Sequence, residues 1–159
     1  MKKLFYYLVL LLPLSICGCS EDLDYRNAVR KQDFQKAHMI LDKLQEKMDD
    51  WYENNELVEE NVFTGSDYSN YHKFEKMCQN QVDAISFVYG EEMKYLAEQD
   101  GESSRTKINF LGQELVAKSN IVINKLRAHS SSSANELAEH LNSHLNLLEN
   151  SIKTICPDL

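Results

Sequence analysis

Three residues near the C-terminus have the types and spacing of a metal-binding face: Glu136, His140 and His144. Intervals of four residues place them on one side of a helix, about 6 Å apart along its axis. Two imidazoles one turn apart can share a metal, and zinc would draw a third or fourth ligand from elsewhere. The pattern is not the HExxH signature of metalloproteases, because Glu139 precedes His140 instead of following it. Without another ligand the same residues read as a polar rim beside a leucine stripe, and that is the weightier reading. A second constellation is aromatic: Trp51, Tyr52, Phe63, Tyr68 and Tyr71, with Phe74 close by. Rings gathered at one place can form a platform for a sugar or a peptide. More often they seal a loop onto a helical core, and the core reading is preferred here. The acidic stretch from Glu46 to Glu60 could bind a divalent cation but reads first as a solvated face.

Other chemical templates are missing from the sequence. It contains no glycine-rich phosphate loop and no GxSxG nucleophile elbow. Cys78 falls on an apolar helical stripe, which raises a thiol's pKa and leaves it inert. His38 and His72 stand apart from other candidates in the sequence. With no catalytic constellation, the expectation is a protein that is not an enzyme.

The elements that would position these residues are helices. Only two prolines and five glycines punctuate 159 residues, which favours long helices and few turns. Asp22 to Lys31 can form a short helix carrying Leu23, Ala28 and Val29. Asp33 is a good N-cap for the next helix, since its carboxylate can accept orphan backbone N–H groups. Phe34, Ala37, Leu41, Leu44, Met48 and Trp51 then recur at helical spacing along one stripe. Asn61 to Asn70 reads as the main irregular connection. Tyr71, Phe74, Cys78, Val82, Ile85, Tyr89 and Leu96 mark a helix over 69–99. Ile108, Leu111, Leu115, Val122 and Leu126 mark another, with a bend expected near Ser119 and a cap from Ser103 or Ser104. Ser133 and Glu136 have capping-box spacing. Leu137, Leu141, Leu145, Leu148, Ile152 and Ile155 mark the last helix. The expected fold is all-α, an antiparallel bundle of three long helices plus a short N-terminal helix.

The N-terminus carries the clearest functional signal. Lys2 and Lys3 precede an apolar run from Leu4 to Cys17, too short to span a hydrocarbon core of about 30 Å. A basic start, a short apolar core and small residues after it have the layout of an export signal. Ile16-Cys17-Gly18-Cys19 resembles the lipobox of bacterial lipoproteins, with an aliphatic residue, a small residue and then the lipidated cysteine. It departs from the usual pattern in having Cys17 two residues before the cut. The resemblance implies cleavage between Gly18 and Cys19, loss of residues 1–18, and a single helical domain, 19–159, anchored by acyl chains on Cys19. Two or more chains hold stably in a bilayer, whereas one binds marginally. Ser20-Glu21-Asp22-Leu23-Asp24 looks like the surface-export signal of Bacteroidetes lipoproteins, which places the protein at the outer membrane or cell surface. The stretch from Glu92 to Leu111 is similar to a segment of uncharacterised helical surface lipoproteins of the same group. Gln32 to Leu44 resembles part of a tetratricopeptide helix pair, without the usual glycine and without a second copy.

Composition limits the partners. Formal net charge is −8, and losing Lys2 and Lys3 makes it −10. Such a chain is a poor partner for nucleic acid or anionic headgroups, so attachment must come from the lipid. The expected role is a non-catalytic binding or scaffold module that meets an unknown protein or envelope component. The alternatives are a metal-binding lipoprotein using the histidine pair, with zinc as its cofactor, and a glycan-binding accessory using the aromatic cluster. In the reading as a binding module no cofactor is expected beyond the lipid at Cys19. Of four cysteines, Cys78 and Cys156 remain after export and acylation. Helix lengths in an up-down-up bundle set them about 25 Å apart along its axis, beyond the ~7 Å between Cα atoms that a disulfide needs.

Overall fold

The structure is a computed structural model. It describes residues 22–55, 65–99, 101–128 and 132–155, excepting the side chains of residues 22, 23, 65–69 and 155. Cys19, Phe63, Cys156 and the side chain of Tyr68 lie outside the described residues, as does Gly18. Among the described residues the fold is all-helical, with no strand.

The first helices form a hairpin whose turn is set by backbone hydrogen bonds. Helix α1 is Asp22–Arg30 and α2 is Phe34–Asn54. Asp33 N–H reaches back to the Ala28 carbonyl at 2.9 Å, and Gln32 N–H to that of Val29 at 2.8 Å. That pair of bonds is a Schellman close, which needs a left-handed residue after the helix end. Gln32 supplies it with φ 58°, in a place where glycine is the usual choice. Asp33 then starts α2, its Oδ1 accepting from Lys36 N–H at 3.1 Å, as its type and position predict. At 21 residues, α2 is shorter than each of the three helices that follow it.

Helix α3, Gly65–Glu98, is the hub, packed against each of the other helices. It begins earlier than the expected 69–99, so residues 65–70 are helical rather than part of a loop. Its buried side chains include Phe74, Cys78, Ile85, Val88, Tyr89 and Met93, which do not fit on one stripe. A helix covered on several sides must be apolar on several sides. Helix α4 is Glu102–Arg127 and α5 is Ser132–Ile155. α4 runs unbroken past Ser119, and Gly101 stands at its N-cap without a side-chain cap, so neither Ser103 nor Ser104 serves there. Glu102 in its first turn and Lys125 and Arg127 in its last complement the helix dipole.

Named contacts fix the directions. Along α2 and α3, Phe34 meets Tyr95, His38 meets Glu92, Met48 meets Cys78 and Trp51 meets Phe74, so the two run oppositely. Asp42 pairs with Lys118 and Asp49 with Lys125, so α2 and α4 run the same way. Between α4 and α5 the backbone comes close at Gly112, where a Cβ would stand 3.0 Å from Ile152 Cγ2. Arg127 binds Glu139 at 3.0 Å near the other end of that pair, which makes it antiparallel.

Candidate functional site

Helix α5 carries the histidine pair on its outer side because Ala134, Ala138, Leu141 and Leu145 turn inward. Glu136 and His140 are exposed, and His144 is half-buried. The two imidazole rings lie 4.5 Å apart between centroids, tilted by 49°. The neighbouring Glu139 is engaged by Arg127. Among the described residues no group of three or more His, Cys, Asp or Glu side chains is gathered so as to hold a metal. The geometry thus pairs the two histidines without bringing Glu136 into a ligand set with them.

Two members of the aromatic constellation, Trp51 and Tyr52, gather on Phe74, which is fully buried. Trp51 stacks near it at 6.3 Å and 14°, and Tyr52 meets it at 5.1 Å. Tyr71 is buried. Lys73 Nζ stands 5.4 Å from the Trp51 ring centre and Lys125 Nζ 5.2 Å from that of Tyr52. Rings with one face on a core residue and a cation over them close the end of the α2–α3 pair. In the same region Cys78 Sγ contacts Met48 Sδ at 3.8 Å. Burial pushes the Cys78 thiol up to about 12; nearby Lys125 opposes this, while Asp49 and Glu75 add to it. Such a thiol stays protonated and unreactive at neutral pH.

The structure also assembles a polar seam that motif reading passes over. His38 Nε2 and Glu92 Oε2 are 2.5 Å apart, and the His38 ring meets Tyr89 edge-on at 4.5 Å. Tyr89 donates to Glu114 Oε2 at 3.5 Å. Burial first, then Glu114, Asp42 and Glu92, hold the Tyr89 phenol above its ordinary pKa. One turn on, Lys118 Nζ donates to Asp42 at 2.6 Å, and further on Lys125 donates to Asp49. Gln45 also donates to Asp49, at 2.9 Å. The signal was in the spacing: His38, Asp42, Gln45, Asp49 and Tyr52 form a second stripe beside the apolar one. Lys118 and Lys125 repeat at the same interval as Asp42 and Asp49. A side-chain ladder of this kind sets the register of α2 against α4 across α3.

A second polar joint ties α3 to the start of α5. Glu75 is buried, accepts from the Ser133 hydroxyl through Oε1, and has His72 Nδ1 at 3.2 Å from Oε2. Ser133 lies inside α5, so its hydroxyl serves this joint between helices. Gln81 does similar work by donating to the Leu41 carbonyl at 3.1 Å.

Comparison with protein-family models, with curated proteins and with solved structures finds no match to this chain. No described helix is long and apolar enough to cross a membrane.

Proposed function

We propose that this chain is a lipid-anchored protein of the bacterial cell envelope, acylated on Cys19 after removal of residues 1–18. Its helical domain acts as a non-catalytic binding or scaffold module, held at the outer membrane or cell surface. The observation that carries the reading is Ile16-Cys17-Gly18-Cys19 at the end of a short apolar run behind Lys2 and Lys3. The described domain supports the scaffold half. Its polar joints, His38 to Glu92, Asp42 to Lys118 and Glu75 to Ser133, each link one helix to another. In this reading α3, α4 and α5 are the three long helices of an antiparallel body, and the α1–α2 hairpin is laid along it.

The test is the variant Cys19→Ser, expressed in a bacterium that processes lipoproteins. The wild-type chain sediments with membranes and takes up a palmitate analogue, and the variant does neither. Labelling of the variant to the wild-type level overturns the assignment. Capture of envelope components by the acylated protein, with glycan binding measured in parallel, then separates a protein partner from a sugar ligand.

A further inference from the structure

Asp83 stands on α3, which packs against both α1 and α5, and groups from both helices act on it. Its Oδ2 atom is sealed from solvent and has no hydrogen-bond partner. The charged groups that act on it are Arg26 from α1 and His140 from α5. Arg26 is turned towards aromatic neighbours: its Nε donates to the Tyr25 hydroxyl at 3.3 Å and its guanidinium lies 5.5 Å from the Phe87 ring centre. His140 is exposed and faces His144. The same face of α3 has slack two turns further on, for nothing lies within 4 Å of where a Gly90 Cβ would stand. An ionised oxygen shut away from water without a partner is far costlier than a neutral one.

We propose that Asp83 is a proton-operated latch: protonated, it lets α1 and α5 close on α3, and ionised, it loosens them. The placement carries this, since one carboxyl sits at the junction of three helices with one oxygen unmatched. Burial raises the Asp83 carboxyl to about 6 from an ordinary 3.8, with Arg26 and His140 pulling the other way. A carboxyl raised on folding binds its proton more tightly in the folded state. The latch is therefore firm below about pH 4 and is released as pH rises towards 6. His140 acts on the same carboxyl, so its influence is tested separately with His140→Gln.

The experiment is amide hydrogen exchange at pH 5.0 and 7.5, corrected for intrinsic exchange, on the wild type, Asp83→Asn and His140→Gln. In the wild type, opening of α1 and α5 is expected to rise roughly tenfold at the higher pH, with α2 and α4 little changed. Asp83→Asn loses this pH dependence and His140→Gln keeps it. The proposal fails if Asp83→Asn keeps the wild-type dependence, or if His140→Gln abolishes it. Carbon-detected titration of the wild-type carboxyl is a second arm that needs no variant. A midpoint near 6 supports the latch, and a midpoint at or below 4 overturns it.

Discussion

Two glycines inside the helices, Gly90 and Gly112, make a matched pair of tests with opposite signs. Gly90 lies inside the last third of α3, and an added Cβ there meets nothing within 4 Å. Gly112 lies in the middle of α4, and an added Cβ there stands 3.0 Å from Ile152 Cγ2 and 3.5 Å from its Cδ1. In a helix interior, alanine gains about 0.5–1 kcal/mol over glycine by reducing the freedom of the unfolded chain. Gly90→Ala should realise that gain. At Gly112 the neighbour is a buried, β-branched side chain with few rotamers to retreat into. Overpacking of that kind costs about 1–3 kcal/mol, so Gly112→Ala should destabilise by roughly 0.5–2 kcal/mol net. Urea unfolding followed by circular dichroism would show the midpoints moving apart at constant slope. Repeating Gly112→Ala in an Ile152→Ala background removes both close atoms and should turn the effect stabilising. The packing argument is refuted if Gly112→Ala stabilises as Gly90→Ala does, or if removing Ile152 beyond its Cβ leaves the sign unchanged.

Gln32→Gly should stabilise the α1–α2 hairpin by up to about 1 kcal/mol, because glycine takes the left-handed position without a Cβ penalty; a loss of stability in thermal unfolding would speak against the Schellman close. His140→Ala and His144→Ala should each change stability by less than ~0.5 kcal/mol, and stoichiometric zinc in purified protein, lost in the double variant, would reverse that reading. Cys78 should resist a thiol reagent in the native protein at pH 7.5 and react once urea unfolds it, since burial holds its thiol near 12; fast native labelling would place it outside the core. Asp33→Ala should cost about 1 kcal/mol through loss of the cap to Lys36 N–H, read as a lower denaturation midpoint.

The residues differ in how plainly the sequence announced their places. The apolar stripe of α2 and its Asp33 cap were legible, because a surface helix buries one stripe and the 3.6-residue period displays it. Cys78 was legible as core for the same reason. Helix α3 was only half legible: Val88, Met93 and Ala84 are buried because four helices surround it, and a search for one stripe misses the others. Its start is not legible, because Gly65, Ser66 and Asp67 are turn formers by type. Ser133 and Glu136 have capping-box spacing, yet the Ser133 hydroxyl goes to Glu75 of another helix. Sequence spacing reports neighbours along a helix and is silent about a carboxylate brought in from 58 residues away. Asp83 was invisible for that reason, since its burial, with Arg26 and His140 acting against it, is made by the packing of separate helices. Gly18 and Cys19 are the reverse case: the argument for them is entirely in the sequence.

The measurement that bears most directly on the proposed function is the intact mass of the protein purified from native membranes in detergent. A chain beginning at Cys19 and carrying a diacylglycerol adduct, with residues 1–18 absent, is the expected result. A mass that includes Met1 to Gly18, or a cleaved chain with no lipid on Cys19, would contradict it.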